Sequence, residues 1–273
     1  MEPYGGFSAL RVTLAGGVAH VQIDNPPVNL FDLALYPELV RVSDQLAADE
    51  GVRAVVLSSL TPGFFIAHFD VSLILTLPTD SGKPARLSDF DRMCENFRTM
   101  PKPTIAAIDG RVGGGGSELT LACDMRFASP RAVFNQPEVA LGILPGGGGT
   151  VRLPRLIGRN RAMETVLGSE DIDADTAEKW GWVNRVVADP VVHSLALATR
   201  IAMFPPNAVR EAKESILRND TGVEDALLEE SAGFNRLLGD PRARSAMARF
   251  LERGGQTPAG ESRLGELAGE LGD

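Results

Sequence analysis

Short apolar runs alternate with helix-spaced stretches along roughly the first 160 residues, and helical spacing dominates beyond them. "RVTLAGGVAHVQID" reads as two short strands about an Ala-Gly-Gly turn, a β-hairpin signature. "NPPVNLFD" then breaks regular structure with two prolines, and Asp32 is placed to cap a helix over about Leu33–Asp49. Leu35, Leu39, Val42 and Leu46 would share one face of that helix. "VRAVVLSSL" is a continuous apolar run, as expected of a parallel strand covered on both faces.

A turn and a short apolar segment follow in "TPGFFIAHFDVS". Composition becomes loop-like from Pro78 to Pro84, and "RLSDFDRMCENFRTM" predicts a helix. "KPTIAAIDGRV" predicts another buried strand, ending at the glycines of "GRVGGGGSELTLACD". Beyond them come a helix from about Ser117, a strand near "MRFAS", and the segment "FNQPEVALGILPGGGGTVRLPRLIG". From about Asn160 the pattern is mostly helical, with breaks at "GWVN" and "FPPN". Strands alternating with helices, then a run of helices, predict an α/β core with a helical C-terminal portion. The final "GGQTPAGESRLGELAGELGD", rich in Gly and acidic residues, reads as a loosely attached tail over 256–273.

Composition narrows the function classes. A chain of 273 residues suits one large domain, or one domain with a smaller appendage. No apolar run approaches the ~20 residues that span a bilayer, so no membrane association is expected. "MEPYGGFSAL" lacks the basic and apolar regions of a secretory signal. Two cysteines, Cys94 and Cys123, do not make a disulfide framework; this fits a reducing compartment, and a cytoplasmic location is expected. A net charge of −9 disfavours nucleic acid as a partner while leaving room for a small anionic ligand held by local Arg and Lys. His20, His68 and His193 are too scattered to suggest a metal site, and none is expected.

The glycine-rich stretch Gly110–Asp124 carries the candidate chemistry. A phosphate-binding loop would need Lys after the glycines, and neither glycine run has it. A flexible linker is at odds with the apolar patterns on both sides. Side-chain-free residues at a helix start instead let a ligand approach unpaired amides, where developing negative charge is favoured. Glu118 follows in the predicted first turn, as a dipole-complementing acid or a functional one. Glu138, in "NQPEVALG", is a loop acid paired with Arg126, Arg131 or Arg152, or a second functional carboxylate. Their spacing alone does not bring the two together.

The chain resembles the crotonase superfamily, specifically enoyl-CoA hydratases, over nearly its whole length. The matching pieces run in the family's order: "NPPVN", "RAVVLSS", "FFIAHFD", "KPTIAAIDGRVGGGGSELTLACDMRFAS", "FNQPEVALGILPGGGGTVRLPRLIG" and "WGWVNRVV". The resemblance implies a crotonase (ClpP-like) spiral of ββα repeats over 1–200 and a helical C-terminal trimerisation region over 201–255. It implies a homotrimer or a hexamer built as a dimer of trimers. The substrate would be an acyl-CoA thioester, with coenzyme A part of the substrate and no separate cofactor. The oxyanion-hole amides would fall on Phe69 and Gly115, and the catalytic carboxylates on Glu118 and Glu138. Ala67, His68, Asp70, Gly114 and Leu141 would line the substrate. The implied reaction is syn addition of water to a trans-2-enoyl-CoA, with Glu118 holding the water and Glu138 supplying the α-proton.

Alternatives from the same superfamily are a double-bond isomerase, an acyl-CoA lyase or hydrolase, and a non-catalytic or RNA-binding member. Where the family usually has Ala-Gly-Ala-Asp, this chain has Ala67-His68-Phe69-Asp70. His68 would either pack and hydrogen-bond locally, or touch the acyl or pantetheine arm, or act as an additional acid or base. Lys83, Arg86 and Lys102 are either contacts for the CoA phosphates or solvated charges. The second run, Gly146–Gly149, reads as a structural turn after Glu138.

Overall fold

The computed structural model describes residues 4–79 and 82–272. The hairpin forms from β1 (Leu10–Ala15) and β2 (Val18–Ile23), paired antiparallel through a turn at Gly16 and Gly17. Asp32 Oδ1 accepts from the amides of Ala34 and Leu35, each at 2.9 Å, at the start of α1 (Leu35–Ala48). The four predicted apolar residues of α1 are fully buried.

From there the chain repeats one move: a strand for a first sheet, a strand for a second, then helix. The first round is β3 (Ala54–Ser59), β4 (Gly63–Ile66), α2 (Val71–Ile74) and α3 (Asp89–Thr99). The second is β5 (Thr104–Ile108), β6 (Gly110–Gly113) and α4 (Gly114–Ala122). The third is β7 (Met125–Ala128), β8 (Val133–Asn135), a 3-10 turn over Glu138–Leu141, α5 (Gly149–Ile157) and α6 (Arg159–Gly168). It is followed by β9 (Ile172–Asp173), α7 (Ala174–Trp180) and β10 (Arg185–Val186). The first sheet has the order β1-β2-β3-β5-β7-β10, parallel from β2 onward; the second is β4-β6-β8-β9, with only β9 antiparallel. This is the expected spiral of ββα repeats.

Alternate side chains of the first sheet point to opposite faces. Val55 and Leu57 join Phe65, Val112 and Phe134 in the main core between the sheets. Ala54 and Val56 face the other way, onto Ala198 of α8 (Pro190–Ala202). The helices α9 (Pro206–Leu217), α10 (Val223–Leu238), α11 (Pro241–Glu252), α12 (Pro258–Glu261) and α13 (Leu264–Gly269) complete the chain. Among the described residues no helix is long and apolar enough to cross a membrane. Both cysteines are free and buried.

Three expectations need correction. "KPTIAAIDGRV" is two strands in different sheets, separated at Asp109. Gly110 makes the crossing possible: its φ is +132°, and a Cβ there would stand 2.4 Å from the Gly63 carbonyl carbon and oxygen. Helix α4 begins at Gly114 rather than near Ser117, so the glycines are its first turn and Glu118 lies beyond it. The stretch from 256 is no loose tail over its described residues. Leu264, Leu267 and Leu271 are buried against Val71, Ile74, Leu141 and Phe250, and Glu261 is fully buried.

Candidate active site

The three parallel strands of the second sheet each deliver one part of a site at their carboxyl ends, where parallel sheets generally present ligands. After β4 comes Ala67-His68-Phe69-Asp70. Phe31 N donates to His68 O at 3.0 Å, and Asp70 N donates to Phe31 O at 3.1 Å. This parallel bridge turns the Phe69 amide away from Phe31. The Phe69 ring stacks on Phe31 with centroids 6.1 Å apart, and Tyr36 and Phe90 meet it edge-on. After β6, Gly115 is the second residue of α4, and an amide at that position has no intrahelical acceptor. Glu118 follows on the same helix. After β8 come Gln136, Pro137 and Glu138.

These parts meet at one cavity of about 360 Å³, lined by Phe69, Gly115, Glu118, Glu138, His68 and Leu141, with Tyr36, Phe90 and Phe234 on its apolar walls. Gly114 sits behind it: a Cβ there would be 2.9 Å from Glu138 Oε1 and 3.0 Å from His68 Cβ. Besides Gly114, two more of the expected residues do not line it. Ala67 is buried with Val28 and Phe64, and Asp70 caps α2 by accepting from Ser72 N at 2.8 Å.

Glu118 and Glu138 share the cavity but differ in partners. Glu118 Oε1 accepts from the amides of Gly147 at 2.7 Å and Gly149 at 2.9 Å. The second glycine run is therefore part of the site, not merely a turn after Glu138. Gly147 leaves no room for a side chain, because a Cβ would lie 2.2 Å from the Phe90 ring and 2.7 Å from Glu118 Oε2. The next amides serve another carboxylate. Gly148 N donates to Glu230 Oε2 at 2.6 Å, and Thr150 N donates to Glu230 Oε1 at 2.8 Å. Glu138 has a side-chain amide instead. Gln136, oriented by its neighbours, donates to Glu138 Oε2 at 3.0 Å and accepts from Ser117 Oγ at 3.2 Å.

Burial raises all three carboxylates. Glu118 is pushed up to about 7, its two glycine amides opposing a larger rise. Glu230 is pushed up to about 8, by burial first and then by the Glu118 charge. Glu138 lies well above the carboxylate range, again from burial first and then from the Glu118 charge. A carboxylate held by two amide donors keeps its charge more readily than one beside an uncharged amide side chain. The arrangement therefore favours Glu118 as the proton acceptor and Glu138 as the proton donor.

None of the three arginines considered for Glu138 pairs with it. Arg126 bonds the Trp182, Thr120 and Cys123 carbonyls, Arg131 pairs with Asp109, and Arg152 bonds Gly147 O and Glu95. Lys102 is buried and spends its Nζ on the Leu46 and Asp49 carbonyls at 2.7 and 2.6 Å, which removes it from any phosphate. Lys83 pairs with Glu229, and the exposed Arg86 borders the cavity. Glu230 carries no signal in its local sequence. The second glycine run does carry one, since it too precedes a helix.

The chain is similar to known proteins over most of its length. Residues 13–257 match the family model for enoyl-CoA hydratase/isomerase. The chain is 34% identical over 242 residues to a short-chain-enoyl-CoA hydratase of Clostridium acetobutylicum, covering 87% of this chain and 92% of that one. Among solved structures, a Streptomyces avermitilis protein provisionally assigned as an enoyl-CoA hydratase superposes with a TM-score of 0.87 at 36% identity, over 97% of this chain and 99% of that one. An enoyl-CoA hydratase of Mycobacterium avium subsp. paratuberculosis gives 0.80 at 26% identity, over 91% and 97%. With the two-sheet spiral, the shared cavity and a family match along most of its length, the chain belongs to the enoyl-CoA hydratase/isomerase family of the crotonase superfamily.

Proposed function

We propose that the protein is an enoyl-CoA hydratase that adds water syn across the double bond of a trans-2-enoyl-CoA. The observation that carries this reading is a pair of buried carboxylates, Glu118 and Glu138, lining the cavity that Phe69 and Gly115 also line. The Phe69 and Gly115 amides would receive the thioester oxygen, where negative charge grows as the enolate forms. One such donor typically stabilises a transition state by roughly 2.7–4 kcal/mol.

In this mechanism Glu118 accepts a proton from the bound water as its oxygen bonds to Cβ. The π electrons move toward the thioester oxygen. When the enolate collapses, Cα takes the proton of Glu138, and the product is a 3-hydroxyacyl-CoA. Burial and the neighbouring Glu118 charge raise Glu138 and so favour its protonated form, while Glu118, at about 7, is poised as a base. Coenzyme A is part of the substrate, and no separate cofactor enters. The same reading places the protein in cytoplasmic acyl-CoA metabolism as a homotrimer or hexamer, which sedimentation would check.

The test is incubation with short and medium trans-2-enoyl-CoAs, followed by product mass. Hydration adds one water. Isomerisation leaves the mass unchanged and would replace this reading, as would full activity in both Glu118→Gln and Glu138→Gln.

A further inference from the structure

The C-terminal segment grips the loop that carries the Phe69 amide. His68 Nε2 lies 3.0 Å from Glu261 Oε1, across 193 positions of sequence, and His68 Nδ1 lies 2.7 Å from Phe69 O. A donor at Nδ1 for the carbonyl and at Nε2 for the carboxylate makes the ring an imidazolium. The same Glu261 oxygen accepts from Gln256 N at 2.7 Å. Gln256 reaches the loop directly: its Oε1 accepts from Val71 N at 2.6 Å, and its Nε2 donates to Asp70 Oδ1 at 3.0 Å. Arg111 secures the segment from below, donating to Ser262 O at 2.9 Å while paired with Asp171. Phe250 packs edge-on against the imidazole at 5.5 Å.

We infer that Glu261, acting through His68 and with Gln256, is a positioning residue that fixes the Phe69 peptide so that its amide faces the thioester oxygen. The inference rests on the hydratase reading for the identity of that oxygen. Both His68 and Glu261 are buried, and their desolvation offsets much of their attraction, so a buried pair adds little net stability. It does add fixed geometry: both faces of Phe69 are held, one by the Phe31 bridge and the other by His68 Nδ1. His68 thus occupies the family's glycine position as a strut whose two nitrogens are both engaged.

The charges around the imidazole favour its ionised form. It faces Glu261 of α12, Asp70 of its own loop and, across Gly114, Glu138 of the 3-10 turn, while Arg111 of β6 stands near Glu261. Burial alone would lower the His68 pKa, but the Glu261 charge and hydrogen bond outweigh it and raise the value. Glu261 is lowered despite its burial.

The test compares Glu261→Ala, Glu261→Gln and Gln256→Ala with the unmodified protein in two assays. The first is turnover of a trans-2-enoyl-CoA. The second is the absorbance of bound 4-dimethylaminocinnamoyl-CoA, which moves to the red when its thioester carbonyl is polarised. Glu261→Ala and Gln256→Ala are expected to lose roughly 10- to 100-fold in kcat with little change in KM, the pattern of a misplaced donor. Both should also shrink the red shift, and Glu261→Gln should restore part of each. A folded Glu261→Ala or Gln256→Ala protein with unchanged red shift overturns the inference, and so does a wild-type protein that binds the probe without a shift. A wild-type red shift that Glu261→Ala abolishes, in a protein that hydrates no enoyl-CoA, would remove the hydratase reading and support the positioning role.

Discussion

Replacing Glu118 with Gln should make the protein more stable as well as less active. The carboxyl is buried, and its pKa is pushed from the ordinary 4.5 up to about 7. A raised folded-state pKa means that the folded protein holds a proton that the unfolded chain has released. Stability is therefore highest below about 4.5 and falls as pH climbs toward 7, because the proton is lost from the native state last. At ~1.36 kcal/mol per pH unit, the interval from 4.5 to about 7 corresponds to ~3 kcal/mol. Gln keeps an oxygen for the Gly147 and Gly149 amides but does not titrate. The Glu118 charge also helps to raise Glu138 and Glu230, so removing it relaxes both in the same direction. Urea unfolding at pH 5, 6, 7 and 8 should show the Glu118→Gln advantage growing by ~2.5 kcal/mol, the part of that interval above pH 5, and levelling off above neutrality. Two curves that stay parallel across that range would refute the buried, raised carboxyl.

Other outcomes follow from the same structure. Glu138→Gln should fold normally and lose roughly 10²–10⁴ in kcat, the usual cost of removing a general acid; turnover within twofold of wild type would remove its role. Gly110→Ala should cost at least ~2 kcal/mol in urea unfolding, because its Cβ meets Gly63 backbone at 2.4 Å and its φ is positive. Gly168→Ala, in α6 with open space around it, should instead gain ~0.5–1 kcal/mol. Both thiols should resist alkylation until the protein unfolds, since burial pushes Cys123 up to about 12 and Cys94 well above its ordinary value.

Much of the fold was legible because single-segment patterns control it. The run Ala54–Ser59 and the α1 face Leu35, Leu39, Val42 and Leu46 announce burial through local order alone. The break at Gly110 carries only a short local signal, the Asp109-Gly110 dipeptide, and the Gly63 backbone that requires the bend lies across the fold, out of sight of the segment. Both glutamates were visible as candidates, yet their meeting depends on β6 and β8 lying side by side. Glu230 and Glu261 were not visible. Each looks like a helix-surface acid in its own segment, and each is drawn inward by partners 80 to 193 positions away. The C-terminal glycines and acids resembled a solvated tail because three leucines, spaced through them, bury only against residues of other segments.

The pairing of His68 with Glu261 also has a dimension in time. Ribosomes add about 5–20 residues per second, so the 193 positions between the two take roughly 10–40 s to make. Over that interval β5 to β10, the glycine amides and Glu230 are all synthesised, while the Phe69 loop still lacks its grip. The carboxylate that steadies the earliest part of the site is thus the last of its residues to be made, and the order of translation itself delays the finished catalytic geometry until the surrounding core is already in hand.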